Sequence, residues 1–518
     1  MQALIFLHPL LCFRLRRNMR VLWFKRDLRV EDHLPLFRCA RRGAVLPIYI
    51  YEPRVIHSPE YGANQHAFIE DSLGELDASL RQLGGRLIRL RGHARDVLDE
   101  LHAMQPITEL HSHMESGNAL TYRRDKVVAA WCRHHGVTWS ESPTADVQRP
   151  HAQRDGWSRR WYKMVRSPIV PTPERIEVPR MGVPQSVGPC SAEDLGIGLS
   201  APLIQRGGRS RGVALLKQFL REDPAGYPSN MSSPNTAATA CSRLSAHLAL
   251  GTLSTREVIR RLDGAKRLVT QPSVRRGYDA FESRLAWRGH FMQRFEDEMR
   301  IETECLDPST EEIRRAGARW MATRLTETEI QRRFQAWKDG RTGFPMVDAC
   351  MRSLRKTGWL SFRMRAMVVS VACYTLWLDW RLVNPWLARQ FTDYEPGIHL
   401  NQLQMQSGST GMNELRIYNP VRQAEVHDSE GTFVRTWVPE LAELPTSVIH
   451  ALGNPRSDQI IKHWALSYPS PIVAHGVAAR FARSTILRCR QTPESRRAAR
   501  HSNERLGSRK PRPPRSRG

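Results

Sequence analysis

Short apolar runs alternate with amphipathic stretches over the first third of the chain. The runs have the length and composition of buried strands, and they cover residues 21–24, 44–51, 86–90, 107–113 and 137–141. Between the second and third runs, isoleucine and leucine recur at every third or fourth position from Ile69 to Leu83, which predicts one apolar face of a helix. Strands that alternate with helices predict a parallel sheet covered by helices, so residues 19–149 are predicted to form an α/β domain.

From about residue 213 to residue 481 the spacing becomes helical throughout. Stretches such as 242–250, 254–262, 278–299 and 360–378 lack the alternation of strands and predict a second, all-α domain. The most apolar stretch, 366–378, is shorter than the roughly 18 residues that a membrane span requires, so we predict a buried core helix and no membrane partner. Residues 150–212 are rich in Pro, Gly, Ser and Arg and predict a linker that crosses a surface.

The two ends of the chain differ from the rest. Residues 1–18 contain an apolar run whose positive charges follow it, without a small-residue cleavage site, so no signal peptide is predicted. Because Met19 directly precedes a strand, this segment is interpreted as a leader or a mis-assigned start. Residues 482–518 combine Arg, Pro and Ser with little to bury and predict a basic disordered tail.

The chain is strongly basic, with 78 Lys and Arg against 52 Asp and Glu and a formal net charge of +26. Residues 483–518 contribute +10 of this, and the preceding 482 residues keep +16. An excess of this size in the folded part indicates an anionic partner such as nucleic acid.

The nine cysteines are scattered and contain no C-x-x-C pair, which argues against a disulfide framework and a zinc or iron–sulfur site. A reducing, cytoplasmic compartment and no metal site are therefore expected. A loose G-x-G-x-x-A pattern at 196–201 follows no strand and is not predicted to bind phosphate.

Six segments match one family in content, order and spacing. They are VLWFKRDLRVEDH (21–33), CSRLSAHLALGTLS (241–254), AWRGHF (286–291), WKDGRTGFPMVDACMRSLRKTGW (337–359), FRMRAM (362–367) and RIYNPVRQ (416–423). Over roughly residues 19–445 the chain therefore resembles the photolyase/cryptochrome family. The resemblance implies a Rossmann-like α/β antenna domain followed by an all-α domain that holds a U-folded FAD and uses blue light, in a protein expected to be a monomer.

The resemblance implies positions for the cofactor, and the residue types suit them. A diphosphate must be met by hydroxyls, backbone N–H groups and guanidinium groups. The implied phosphate-binding turn consists of Cys241, Ser242, Arg243, Leu244 and Ser245. The other implied cofactor-binding residues are Tyr227, Phe281, Arg288, Asp393, Tyr394 and Glu395. Arg365 and Asp393 match the pair that flanks the isoalloxazine ring, and His399 stands where photolyases commonly place an Asn facing flavin N5.

The family flips a pyrimidine dimer out of duplex DNA into a cavity over the flavin. Trp287 matches the aromatic residue against which the dimer packs, while Arg363 and Gln423 match further contact positions. At the position of a Glu that bonds the dimer in the family, this chain has Arg284, which exchanges an acceptor for a donor. Phe362 replaces an Asn and Ala366 replaces a Met in the same pocket, so the lesion pocket is predicted to be rebuilt.

The electron route to the flavin and the antenna site are also implied by the resemblance. Trp380 matches the middle residue of the family's three-tryptophan chain, but the inner and outer positions fall near Leu403 and Glu327. The residues that could supply another route are Trp377, Trp320, Trp386 and Tyr374. Glu115 resembles an acidic residue near the antenna, which could be folate or a second flavin-type pigment. His111 and His113 nearby are interpreted as satisfied polar side chains instead of metal ligands.

Three functions remain open from the sequence. The first is a light-driven photolyase that repairs pyrimidine dimers in duplex DNA by electron transfer from excited reduced FAD. The second is a cryptochrome-type photoreceptor that keeps FAD and has lost repair, which Arg284, Phe362 and the missing tryptophans favour. The third is an FAD-binding module without photochemistry, which the intact flavin motif disfavours.

Overall fold

The computed structural model describes residues 19–144, 147–149, 154–188, 191–198, 205–222, 224–315, 319–321 and 323–507, so the predicted leader at 1–18 lies outside the described residues. The first domain is a parallel sheet in the order β3-β2-β1-β4-β5, as the alternating pattern predicts. Its strands are β1 (Met19–Phe24), β2 (Val45–Tyr51), β3 (Ile88–Arg91), β4 (Ile107–His113) and β5 (Thr138–Ser142). Its helices are α1 (Leu34–Ala40), α2 (Pro53–Ile56), α3 (Ala63–Gln82), α4 (Ala94–Met104) and α5 (Ala119–His134).

The central strand β1 is buried on both faces because helices cover both sides of the sheet. Leu22 and Phe24 join one apolar cluster, whereas Val21 and Trp23 join the opposite one, as the alternation of strand side chains requires. Strand order reverses between β1 and β4. The carboxyl ends of these two strands therefore flank the crevice where sheets of this kind bind ligands.

The remaining chain is almost wholly helical, as the change of spacing predicts. Its helices are α6 (Trp157–Val165), α7 (Arg209–Arg221), α8 (Tyr227–Asn230), α9 (Ala237–Ala240), α10 (Ser245–Ala249), α11 (Thr255–Leu268), α12 (Pro272–Asp297), α13 (Glu311–Arg314), α14 (Glu327–Asp339), α15 (Pro345–Thr357), α16 (Phe362–Ser370), α17 (Trp380–Gln390), α18 (Pro396–Ser407), α19 (Pro420–His427), α20 (Thr432–Trp437), α21 (Thr446–Ala451), α22 (Ser457–His463), α23 (His475–Arg490) and α24 (Pro493–Leu506). Short elements complete it: the hairpin β6 (Arg319–Trp320) and β7 (Thr323–Arg324), the 3₁₀ turns Pro224–Gly226, Met299–Glu302, Pro308–Thr310 and Pro439–Leu441, and the π-helical turn Val371–Thr375.

The predicted helix at 360–378 is buried but not continuous. Helix α16 ends at Ser370 and passes into the π-helical turn, after which Trp377 adopts a left-handed backbone with φ 57°. This conformation costs a non-glycine residue roughly 1–2 kcal/mol. Burial of the Trp377 indole in the main core offsets that cost, because only 5% of the residue is exposed.

The prediction of a linker at 150–212 is wrong in part. Residues Trp157–Val165 form α6, whose Trp157 and Trp161 are buried in the core of the helical domain against α12. Farther on, the segment crosses the α/β domain in extended form: the N–H of Val45 donates to the carbonyl of Glu177 (2.7 Å), and the N–H of Arg91 donates to that of Ser186 (2.8 Å). Both tryptophans stand among Arg, Gly and Ser, which hides their periodicity.

The prediction of a disordered tail at 482–518 is also wrong for its described part. Helix α23 continues to Arg490, and α24 follows it as far as Leu506. Small and apolar residues at helical spacing pack inward despite the high Arg content, with Ile486 and Leu506 almost wholly buried. The Ser495 hydroxyl also donates to Asp307 Oδ2 at 2.7 Å.

Three further predictions can be compared with the described residues. No helix among the described residues combines the length and the apolar character of a bilayer span. The cysteines that the structure describes are free thiols: Cys39, Cys132, Cys241, Cys305, Cys350, Cys373 and Cys489. The G-x-G-x-x-A pattern ends among residues 199–204, which lie outside the described part of the chain.

Candidate cofactor and DNA site

The helical domain encloses a cavity of about 640 Å³, within the size range of protein ligand pockets. Residues far apart in sequence meet on its walls, which come mainly from α8, α10, α12, α16, α18 and α24. The predicted site residues that line it are Tyr227, Cys241, Ser242, Leu244, Ser245, Phe281, Arg284, Trp287, Arg288, Arg365, Asp393, Tyr394, Glu395 and His399. Those predicted for this site that lie outside its lining are Arg243, Arg363, Trp380 and Gln423.

The predicted phosphate-binding turn is a true turn and not the start of a long helix. Helix α10 begins at Ser245 and has five residues, shorter than the predicted 242–250, so Ser242 lines the cavity from a loop and Ser245 lines it from a single helical turn. Arg243 has φ 55° and turns its guanidinium onto the Trp359 ring, 4.0 Å from the ring centroid. Burial lowers the pKa of Arg243 to about 10, which leaves it cationic at neutral pH.

A buried ion pair crosses the cavity between α16 and the segment before α18. Arg365 Nη2 donates to Asp393 Oδ2 at 2.8 Å, and Arg365 Nε donates to the Leu360 carbonyl at 2.8 Å. Burial alone would raise the pKa of Asp393, but the positive charges of Arg365 and Arg243 outweigh it and hold the pKa below its ordinary value. Asp393 is therefore ionised, and the two hydrogen bonds of Arg365 fix the orientation of its guanidinium group.

Arg288 is held by a second carboxylate. Its Nε donates to Glu395 Oε2 at 2.9 Å, and its Nη2 also donates to Glu395 and to the Leu248 carbonyl. Glu395 is the N-cap residue immediately before α18, so this pair ties α12 to the start of α18. The Arg288 charge is thus balanced inside the protein, and its role is to shape the cavity wall as much as to meet a phosphate.

His399 lies in the cavity wall with an unused ring nitrogen. Burial, together with the nearby Arg365 charge, lowers the pKa of His399 to about 3, so the ring is neutral at physiological pH. A hydrogen bond to the backbone of Asn384 engages the ring. Within the described residues, Nε2 is buried and has no hydrogen-bond partner. The group can therefore exchange a hydrogen bond with a ligand.

Only some of the residues that the resemblance predicts to contact DNA line the cavity. Trp287 is half-buried and rests on Phe291, with ring centroids 5.6 Å apart, while Arg284 is exposed at the rim. Helix α16 turns Phe362, Arg365, Ala366 and Val369 toward the cavity. Arg363, one position after Phe362, therefore points to another side of the helix. Gln423 lies on α19, which contributes no residue to the lining.

Several cavity residues have no counterpart in the sequence predictions. Trp359 lines the cavity and stacks against the Arg243 guanidinium. Arg294 also lines the cavity, on the same face of α12 as Trp287 and two turns farther on. Asn503 and Leu506 come from α24, in the stretch predicted to be disordered. Helical spacing from Trp287 could have found Arg294, whereas nothing in the sequence signals that the last helix returns to the cavity.

The tryptophan route to the cavity stays a prediction. Trp380 is fully buried at the start of α17 and does not line the cavity. Two of the alternative residues form a pair, because the rings of Trp320 and Trp377 lie 5.9 Å apart. Trp386 instead meets Trp337 at 5.4 Å.

Glu115 lies in the α/β domain, beside a smaller pocket at the carboxyl ends of β1 and β2. Arg124 donates to Glu115 Oε2 (2.6 Å) and to Glu52 Oε1 (2.9 Å), and all three side chains line the pocket. Burial opposes ionisation of Glu115, but the Arg124 charge prevails and holds its pKa below the ordinary value. The remaining volume is about 110 Å³, so a pigment of flavin size requires this cluster to move.

A buried triad stands behind that pocket. His33 Nε2 and His113 Nδ1 both approach Asp27 Oδ2, at 2.9 and 2.8 Å. The three groups are close enough to hold a metal ion, but each is already satisfied by these hydrogen bonds. His111, on the same strand, contacts Glu109 at 2.8 Å. The prediction of satisfied polar side chains therefore holds for His113, whereas His111 Nδ1 is buried without a hydrogen-bond partner among the described residues.

The cavity fits FAD in the chemistry of its walls. The hydroxyl groups of Ser242 and Ser245 suit a diphosphate, and aromatic side chains such as Tyr227 offer apolar surface. His399 Nε2 has no hydrogen-bond partner among the described residues and can bond to a polar atom of the flavin ring. A parallel α/β domain followed by a helical domain with such a cavity is the architecture of a flavoprotein.

Comparison with known proteins gives the same class. The model of the DNA photolyase domain matches residues 20–160, and that of the FAD binding domain of DNA photolyase matches residues 281–487. The deoxyribodipyrimidine photo-lyase of Streptomyces griseus is 32% identical over 90% of this chain and 99% of its own length. The cryptochrome DASH of Gloeobacter violaceus is 28% identical over 88% and 92%. The chain therefore belongs to the photolyase/cryptochrome family, and its cofactor is FAD.

A solved structure bears on the antenna pocket as well as on the fold. The archaeal photolyase of Sulfolobus tokodaii, described with two FAD molecules and a novel light-harvesting cofactor, superposes with a TM-score of 0.72 and 26% identity. The match covers 91% of this chain and all of that one. A second flavin-type pigment is thus consistent with this fold.

Proposed function

We propose that this protein is a blue-light-driven, FAD-dependent photolyase that repairs pyrimidine dimers in duplex DNA. One observation carries the proposal: a single cavity joins the Arg365–Asp393 pair and His399 to Trp287, the aromatic wall suited to a flipped base. Bound FAD supplies the light absorption and the one-electron transfer that split a cyclobutane dimer. The 32% identity to a deoxyribodipyrimidine photo-lyase supports the same activity.

The chain's own residues divide the remaining work. Trp287 offers its ring face to a base that has left the duplex, and stacking of this kind is worth about 1–3 kcal/mol per base. Arg284, exposed at the rim, is placed to meet backbone phosphates. The basic folded region attracts the rest of the duplex, so binding should weaken steeply with salt.

The alternative is a cryptochrome-type photoreceptor that binds FAD and has lost repair. The position of two predicted DNA-contact residues favours it, since Arg363 and Gln423 do not line the cavity. The acceptor-to-donor exchange at Arg284 favours it as well. Identity to a cryptochrome DASH over most of the chain also supports this second function.

A repair assay separates the two functions. The FAD-loaded protein, reduced and illuminated with blue light, is expected to remove dimers from a thymine-dimer duplex, whereas a dark sample is not. Trp287→Leu should weaken dark binding of that duplex about tenfold through lost stacking. Trp464→Leu, at a site 42% exposed just after α22, should change the affinity less than twofold. Normal flavin photoreduction without any dimer loss would reject the photolyase and leave the photoreceptor.

A further inference from the structure

One face of α12 runs the length of the cavity and ends in a buried cation. Arg284, Trp287, Phe291 and Arg294 follow one another at spacings of three and four residues, and all four line the cavity. Arg284 is exposed at the rim, whereas Arg294, ten residues and about 15 Å farther along the helix, is only 3% exposed. The helix therefore carries one guanidinium at the mouth and one in the interior.

The Arg294 guanidinium lacks the partners that a buried cation needs. Its Nε and Nη2 atoms are buried and have no hydrogen-bond acceptor within the described residues. The nearby carboxylate of Asp297 is shared by Gln293 and Arg154. An unpaired charge in the interior is costly, and in a cavity wall a ligand can supply the missing acceptors.

Arg154 is the neighbouring charge that acts on Arg294, and it is positive. His290 lies against Arg154, and burial together with these arginines lowers the pKa of His290 to about 2, so the ring is neutral. Burial lowers the pKa of Arg294 itself to about 10, and the group remains a cation at neutral pH. Arg154 and Arg294 thus place two cations close together in this part of the molecule, and they attract the oxygen atoms of a ligand.

A second unpartnered group faces the same cavity from α18. Gln406 is 3% exposed, and its Oε1 is buried without a hydrogen-bond partner among the described residues. Gln406 thus offers an acceptor to the same cavity to which Arg294 offers donors. The helices α12 and α18 pack directly on each other, since Asn401 Nδ2 of α18 donates to the Phe291 carbonyl of α12 at 3.2 Å.

Helix α24 closes this end of the cavity. Asn503, Leu506 and Gly507 line it, and Arg505 holds the helix in place by donating to the Asp297 carbonyl (2.8 Å) and to Glu298 (3.1 Å). These residues lie beyond the region that the FAD-binding family model matches, which ends at 487. A DNA phosphate, which stays on the duplex surface, is a poor fit for a compartment closed in this way, whereas a flat ring edge fits it.

We propose that Arg294 and Gln406 form a site for an imide edge, the O=C–NH–C=O segment of a ring. In such an edge two carbonyl oxygens accept from the guanidinium and amide donors, and the central N–H donates to Gln406 Oε1. Two ligands of this protein carry that edge: a thymine flipped into the cavity, and the isoalloxazine ring of FAD. The thymine source rests on the proposed function, whereas the FAD source does not.

The test measures two affinities in the dark, so it does not depend on repair. Arg294→Met and Gln406→Met are compared with wild type for FAD affinity, followed by flavin absorbance, and for affinity of the FAD-loaded protein for a thymine-dimer duplex, followed by anisotropy. If thymine is the source, each variant weakens duplex binding at least tenfold and leaves FAD affinity unchanged. If flavin is the source, FAD affinity falls at least tenfold. Either result supports the imide site.

A modified duplex and a matched variant sharpen the result. N3-methylation of the dimer removes the imide N–H, so wild type should bind it less tightly, and Gln406→Met should no longer distinguish the two duplexes if thymine is the source. Arg496→Met, at an exposed position of α24, controls for the loss of a positive charge and should change both affinities less than twofold. Arg294→Lys, which keeps the cation, should restore part of the lost affinity.

The outcomes separate this site from the proposed function. Both affinities within twofold of wild type in both variants would overturn the imide site, whatever the repair assay shows. Tight dark binding of the duplex without repair under light would overturn the photolyase and leave the site standing. Arg294→Met removes an unpaired buried charge, so its melting temperature should not fall, and a matched melting curve shows that any lost affinity is not lost folding.

Discussion

The Arg365–Asp393 ion pair is expected to contribute both to the stability of the protein and to its binding of FAD. Asp393→Asn removes the negative charge that faces the Arg365 cation at 2.8 Å, and a broken buried pair costs about 3 kcal/mol. The variant should therefore unfold at lower denaturant concentration and retain less FAD. Chemical denaturation of the FAD-free protein and the flavin content after purification measure the two effects.

The control for that prediction is an exposed pair. Arg206 and Asp71 contact each other at 2.6 Å, but the Arg206 side chain is 56% exposed, so Asp71→Asn should cost no more than about 1 kcal/mol. Equal losses in Asp393→Asn and Asp71→Asn would contradict the assigned role of the buried pair. At this scale the sequence identified Arg365, Asp393 and His399 from motif positions, but it missed Arg294, whose importance comes only from its unpartnered burial.

At the scale of elements, the contact between α6 and α12 depends on the absence of a side chain. A Cβ at residue 289 would lie 2.8 Å from Trp161 Cδ1 and closer still to its Nε1, in a core that cannot yield. Gly289→Ala should therefore destabilise the protein by about 1–3 kcal/mol, the usual cost of overpacking. Thermal unfolding measures the change.

Gly264→Ala is the matched substitution, because a Cβ at residue 264 of α11 meets nothing within 4 Å. There the change should stabilise the protein by about 0.5–1 kcal/mol through helix propensity. A Gly289→Ala variant as stable as Gly264→Ala would rule out the tight α6–α12 contact. Periodicity predicted α12, since its apolar face is long, but not α6 or α24, whose few buried residues stand among arginines.

At the scale of the whole molecule, several buried histidines make stability depend on pH. Burial lowers the pKa of His113 and His399 to about 3 and of His247 to about 4, from the ordinary 6.5. The unfolded chain takes up these protons at its ordinary pKa, whereas the folded chain does not. Stability is therefore full above pH 6.5 and falls as the pH drops toward 4, by up to about 1.4 kcal/mol per pH unit for each histidine.

Melting curves between pH 7.5 and 4.5 test this prediction. His247→Phe should reduce the slope by one proton, because burial is what lowers the pKa of His247. The exposed His134→Gln should leave the slope unchanged. A melting temperature that stays constant down to pH 5 would contradict the prediction. The net charge of +26 suggested DNA binding from the sequence, but this acid sensitivity follows only from burial, which composition does not report.

The segment that crosses the α/β domain is synthesised after the strands of the sheet, so its hydrogen bonds to them form last. The backbone N–H groups of Val45 and Arg91 find their acceptors at Glu177 and Ser186. A ribosome that adds 5–20 residues per second needs about 2–7 s to pass from residue 149 to residue 186. During that interval all five strands have been synthesised, but these two N–H groups can donate only to water. Their hydrogen bonds within the protein form after the crossing segment has been synthesised.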